Sequence, residues 1–230
     1  RAGFSNTAGY DNNYIGRCAG YNNTTGCYNN FFGYSAGDLG FTGSYNNLIG
    51  YLAGYYNEGD NNNFIGNQAG RCNTTGNNNN FFGNEAGYCN TTQSGSVAIG
   101  ASAGYSNAAD NNIYLGREAG WSPTRGATTV TGSNNFFAGV GAGGSTTSGS
   151  NNNFFGNNAG YYNTIGDHNN FFGAYAGYEN TTGVYNNFFG KYAGFANTTG
   201  NDNNFIGQRA GRANTTGCYN NFFGCQVGYF

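Results

Sequence analysis

The sequence predicts an all-β fold, a parallel β-solenoid or β-roll with one coil per ~17-residue repeat. Three observations predict it. Two adjacent apolar residues recur, the first of each pair being Tyr14, Phe31, Leu48, Phe64, Phe81, Ala98, Tyr114, Phe137, Phe154, Phe171, Phe188, Phe205 and Phe222; the intervals are 17 except for two of 16 and one of 23. A Gly follows every pair, from Gly16 to Gly224. The period is too short for two helices per repeat, and Gly every few positions costs about 1 kcal/mol each inside a helix.

Each element of the unit has its reason. A coil of this length suits two short strands joined by two Gly/Asn bends, stacked at about 4.8 Å. The invariant Gly marks positive φ or close backbone approach. The Ala-Gly pair that follows, as in Ala19-Gly20 and Ala193-Gly194, places a small residue inside the coil beside a turn. The paired Asn before the apolar residues and the Asn of Asn-Thr-Thr-Gly belong at the bends, where Asn tolerates left-handed backbone. Stacked in register, such Asn columns form hydrogen-bonded ladders.

Neighbouring strand residues point to opposite faces. One apolar column, Tyr14 to Phe222 or Ile15 to Phe223, therefore fills the coil, and the other is an apolar stripe on the outside. A stripe of that length exceeds what a soluble monomer normally exposes, so it calls for a partner, met symmetrically by identical chains about a three-fold axis. A wider coil that turns both columns inward is the alternative.

Composition agrees. Gly (43) and Asn (44) exceed a third of the 230 residues, yet 18% of residues are aromatic, which supplies the apolar surface that disordered Gly/Asn chains lack. A net charge of −2 with 8% charged residues offers no nucleic-acid surface, and no apolar run of membrane-spanning length occurs. The chain begins and ends inside a repeat and reads as one continuous domain, 1–230, of about thirteen coils within a longer fibre.

Ser96-Val97-Ala98-Ile99-Gly100, followed by Ala101-Ser102-Ala103-Gly104, resembles the repeats in the head domains of trimeric autotransporter adhesins. The surrounding Asn-Asn-Phe-Ile-Gly and Asn-Thr-Thr-Gly units resemble bacterial and phage tail-fibre-like repeats. The resemblance implies a left-handed β-roll trimerised about its long axis and a role in surface attachment. The period of 17 and the aromatic residues depart from the adhesin pattern.

One insertion interrupts the period. Residues 121–133 hold the only Trp and the only Pro, and the six extra residues are expected to bulge from a turn. Trp121 and Arg125 are the candidate ligand contacts, for a sugar or a protein; a merely tolerated loop is the plainer reading.

Cys72 and Cys89 share one phase in consecutive coils, which puts them within disulfide range. Cys18 with Cys27, and Cys218 with Cys225, are local pairs. Six cysteines in three near pairs point to disulfides and an extracellular, cell-surface or virion-surface setting. Glycosylation sequons occur at Asn22, Asn23, Asn73, Asn90, Asn180, Asn197 and Asn214; the plainer reading of the same residues is a favourable bend. The carboxylates form no column, and the single His168 lies in a variable turn. The chain thus reads as a non-enzyme with no cofactor and no metal: a structural rod of an adhesin or tail fibre, partnered by itself and by a surface receptor or glycan. The alternative is a monomeric module that recognises polysaccharide or ice.

Overall fold

The computed structural model describes residues 1–39, 42–121 and 130–229. The chain divides into two compact units, Arg1–Asn111 and Asn112–Phe230. Each is a parallel β-solenoid, and no helix occurs among the described residues.

The first unit carries β1 (Asn13–Ile15), β2 (Asn30–Phe32), β3 (Asn47–Ile49), β4 (Asn63–Ile65), β5 (Asn80–Phe82) and β6 (Val97–Ile99). Each strand pairs in parallel with the next, Asn13 opposite Asn30 and so on to Asn80 opposite Val97. The second unit carries β7 (Ile113–Leu115), β8 (Phe136–Ala138), β9 (Asn153–Phe155), β10 (Asn170–Phe172), β11 (Asn187–Phe189), β12 (Asn204–Ile206) and β13 (Asn221–Phe223), paired in the same way.

Each coil has one three-residue strand, not the two expected. The reason is local backbone. Besides its glycines, a coil carries two left-handed residues, such as Gln68 (φ 56) and Asn78 (φ 59). Each turns the chain, so no second extended run develops. The coils remain bonded through the turns, for example from Gly20 N–H to Ala36 O at 2.9 Å and from Thr147 N–H to Thr164 O at 2.9 Å.

The column that fills the coil is the first apolar one. Phe31, Leu48, Phe64, Phe137, Phe154, Phe171, Phe188 and Phe205 are fully buried. The Phe rings stack between coils within each unit, with Phe64 and Phe81 4.9 Å apart and Phe154 and Phe171 4.8 Å apart. Each ring buries roughly 150–250 Å², a few kcal/mol at about 25 cal/mol per Å² before entropy is subtracted. The Ala of each Ala-Gly pair is buried as well, from Ala19 to Ala103 in the first unit and from Ala119 to Ala210 in the second.

The invariant Gly is explained by crowding as well as by torsion. Gly66 has φ +145, and a Cβ there would lie 2.2 Å from the carbonyl oxygen of Gly83 in the next coil. Side chains other than hydrogen have no space at that corner.

Asn supplies the remaining interior order. The first Asn of each pair is buried except at Asn12 and Asn220; Asn29 donates to Gly43 O at 2.9 Å and accepts the Asn46 N–H at 2.9 Å. The Asn of Asn-Thr-Thr-Gly is buried too, Asn214 excepted, with Asn180 donating to Asn163 Oδ1 at 2.6 Å and to Gly183 O at 2.9 Å. Irregular intervals are absorbed at this bend. Asn57-Glu58-Gly59 is one residue shorter than Asn-Thr-Thr-Gly, yet β3 and β4 stay in register. Across the interval of 23, the Asn135 N–H still donates to Asn112 Oδ1 at 2.9 Å and β7 pairs with β8. Residues 122–129 of the inserted loop lie outside the described residues.

Candidate functional site: the outer strand face

Strand alternation that sends the middle residue inward sends the first and third outward. The third residues, Ile15, Phe32, Ile49, Ile65, Phe82 and Ile99 in the first unit, form the outer apolar column; Ile65 is 37% and Ile99 46% exposed. In the second unit the column runs Leu115, Ala138, Phe155, Phe172, Phe189, Ile206 and Phe223. Phe155, Phe172 and Phe189 stack there at 4.7 and 4.8 Å with planes 6° and 4° apart.

Beside this column runs an Asn ladder. Asn30 donates to Asn47 Oδ1 at 2.8 Å, Asn47 to Asn63 at 2.7 Å and Asn63 to Asn80 at 2.8 Å. Asn153, Asn170, Asn187, Asn204 and Asn221 repeat the pattern in the second unit at 2.8–2.9 Å. Each mid-ladder amide uses one N–H and one lone pair on its neighbours, which leaves one donor and one acceptor for a partner. None of the described strands contains Asp, Glu, Lys or Arg. The face is periodic, apolar along one line, amide-lined along the next, and uncharged.

A second column lies one residue after the Ala-Gly pair. Arg71 sits among aromatic rings, its guanidinium carbon 5.8 Å from the Tyr55 centroid and 5.5 Å from that of Tyr88, and it donates to the Tyr88 hydroxyl. Arg212 sits likewise between Phe195 and Tyr229, 5.4 Å from each. Tyr161, Tyr178 and Phe195 stack in the same column of the second unit. None of these positions is among the candidate residues that the sequence singles out. The recurrence of an aromatic or Arg directly after Ala-Gly was the available signal.

All six cysteines carry free thiols. Cys72 and Cys89 are half-buried, and the register around them is held by the Asn90 amide donating to Asn73 Oδ1 at 2.7 Å. Burial pushes the Cys72 thiol up, partly offset by the Arg71 guanidinium. Burial, then the neighbouring Cys72 and Glu85, pushes Cys89 up to about 11. Cys218 accepts the Asn201 N–H at 3.3 Å, whereas Cys225 approaches Gln208 Oε1 at 4.0 Å, so these two stand against different columns of the preceding coil. Cys27 donates to Thr25 O at 3.3 Å, and Cys18 stands at a left-handed turn position (φ 58).

Of the sequon asparagines, Asn23, Asn73, Asn90, Asn180 and Asn197 are buried, with their amides engaged in the interior ladder. Asn22 and Asn214 are half-buried. Trp121 is half-buried, its indole N–H without a hydrogen-bond partner among the described residues. Arg125 lies outside the described residues. Among those described, no group of three His, Cys, Asp or Glu is placed to hold a metal ion, and no helix is long and apolar enough to cross a membrane.

No protein-family model, curated protein or solved structure matches the chain.

Proposed function

We propose that the chain is a structural repeat module of an extracellular fibre, of the adhesin or tail-fibre type, that packs its outer strand face against further copies of itself. The observation that carries this reading is the outer apolar column with its uncharged Asn ladder. An exposed apolar strip of this kind, carried by each unit, normally marks an interaction surface. A face without charge has no like-charge repulsion against an identical face, and identical chains cover it symmetrically. Surface attachment follows as the role of such a rod, with a receptor or glycan as its outer partner and an oxidising, extracellular setting for its thiols.

The experiment is the mass of the native assembly, for the unaltered chain and for one carrying Phe155→Asp and Phe172→Asp. Those rings point outward, so the substitutions should leave the coil intact and yield monomers. A native chain that is monodisperse at the monomer mass would overturn the proposal.

Recognition of a polysaccharide by a monomeric solenoid is the second reading. It is favoured by the exposed stacked pair Tyr34 and Tyr51, with ring centroids 5.4 Å apart. Retention of the monomer on an insoluble polysaccharide, lost with Tyr34→Ala and Tyr51→Ala, is its distinguishing result. Ice recognition draws less support, because the Thr hydroxyls are consumed internally, as in Thr164 Oγ1 donating to Thr181 O at 3.0 Å.

A further inference from the structure

Tyr28 and Tyr45 hold the same place in consecutive coils, immediately before the paired Asn. Both stand in the left-handed region, at φ 59 and 61. Their N–H groups donate to the preceding coil, at Tyr10 O (3.1 Å) and Cys27 O (3.0 Å). With both backbones tied in register, the rings stack at 4.9 Å with planes 10° apart. Both are exposed, 40% and 56%. Rings carried in parallel from equivalent positions set the carbons ortho to one phenol oxygen over those of the other. The equivalent residue of the following coil is Asn61, so no ring follows Tyr45 at this position.

We infer that Tyr28 and Tyr45 form an oxidative cross-linking site, joined as a dityrosine between consecutive coils by an enzyme of the haem peroxidase class acting with hydrogen peroxide. Each phenol gives up one electron and its O–H proton, which leaves two tyrosyl radicals. The radicals couple through one Cε of each ring. The two Cε–H protons then move to the oxygens and restore both aromatic rings. In total two hydrogens leave the protein, and one hydrogen peroxide is reduced to two waters.

Stacking alone is insufficient. Tyr88 and Tyr105 stack at 4.9 Å with planes 1° apart, but Tyr105 is only 7% exposed and the Tyr88 hydroxyl is held by Arg71. Forming a biaryl bond requires the rings to leave the stack and meet edge to edge, for which that pair has no room. Tyr28 and Tyr45 are both exposed, with Tyr10 of the preceding coil meeting the Tyr28 ring edge-on at 5.3 Å. The bond would tie neighbouring coils of one chain, so it does not depend on what the outer strand face docks against.

The test treats the dilute full-length chain with a haem peroxidase and limiting hydrogen peroxide, then cleaves it at Asp38, which separates the two tyrosines. The expected product is the Tyr28 and Tyr45 peptides joined and two hydrogens lighter than their sum, with dityrosine fluorescence. Tyr45→Phe should abolish that product and leave the circular dichroism unchanged. Because the Cys27 thiol lies beside the neighbouring Tyr10 and can return a hydrogen atom to a tyrosyl radical, the Cys27→Ser chain is oxidised in parallel. Absence of the joined peptide in both chains overturns the inference. So does cross-linking that occurs only between chains and rises with protein concentration, or linkage of Tyr88 to Tyr105 in its place.

Discussion

The side-chain amide of Asn90 donates to Oδ1 of Asn73 at 2.7 Å, and both residues are fully buried. The same amide donates to Gln93 O at 3.1 Å, so both of its N–H bonds are used inside the coil. A glycan on that nitrogen would break the ladder and has no space. In a glycosylating host, folded protein should carry no glycan at Asn73, Asn90, Asn180 or Asn197. Intact-mass and glycopeptide analysis of the soluble fraction checks this; a folded chain glycosylated at any of the four contradicts it.

The ladder also bears stability. Asn180 donates to Asn163 and Gly183 and accepts from Asn197 at 2.7 Å. Replacing it by Leu leaves buried partners unsatisfied, each costing about 1–3 kcal/mol. Asn180→Leu should lower unfolding free energy by on the order of 3 kcal/mol or more. Thr182→Ala, on the exposed side of the same bend, should stay within about 0.5 kcal/mol. Urea unfolding of both chains decides it, and equal effects would show that the ladder contributes nothing.

Gly66→Ala should unfold its coil locally or destabilise the unit strongly, because the new Cβ meets the Gly83 carbonyl in a backbone conformation that L side chains rarely adopt. Asn67→Ala, one residue on, should have little effect. A crystal structure of the Ala variant with unshifted neighbouring coils would refute the crowding argument.

The two apolar columns should respond differently to charge. Phe154 and Phe171 are buried within their own coils, so Phe154→Asp should lose cooperative unfolding outright. Phe155→Asp should keep the coil and change only self-association. Circular dichroism and sedimentation together separate these outcomes. Loss of fold in both variants would mean that the outer column also holds the coil together.

For Cys72 and Cys89, a shared phase in consecutive coils predicts a reversible disulfide under mild oxidation. Peptide mapping should show that pair, and random pairing among the six cysteines would exclude it. In the reduced chain both thiols are pushed up from the ordinary value of 9.0, Cys89 to about 11. A raised thiol is held neutral by the fold, so its contribution to stability is complete below pH 9.0 and is lost as pH rises towards 11. At pH 8 both should alkylate more slowly than the exposed Cys218. Equal rates would show that burial does not protect them.

The period, the Gly that follows every apolar pair and the opposition of two adjacent apolar residues are local chemistry, and they determined the solenoid by themselves. Gly66 illustrates why: torsion and contact both demand it, so the requirement is written at one position. The outer apolar column and its Asn neighbours were likewise legible as a pattern. Which column faces inward was not, because Phe154 and Phe155 are equally apolar and alternation alone does not choose between them. The tertiary structure decided it by closing the coil around Phe154 and Ala159. It also decided that the Asn of Asn-Thr-Thr-Gly turns inward while residues such as Gln68 and Tyr28 take the left-handed corners. An Asn at a bend can serve as the corner or satisfy the backbone from inside, and only the stacking of equivalent coils makes the interior ladder the better satisfied arrangement.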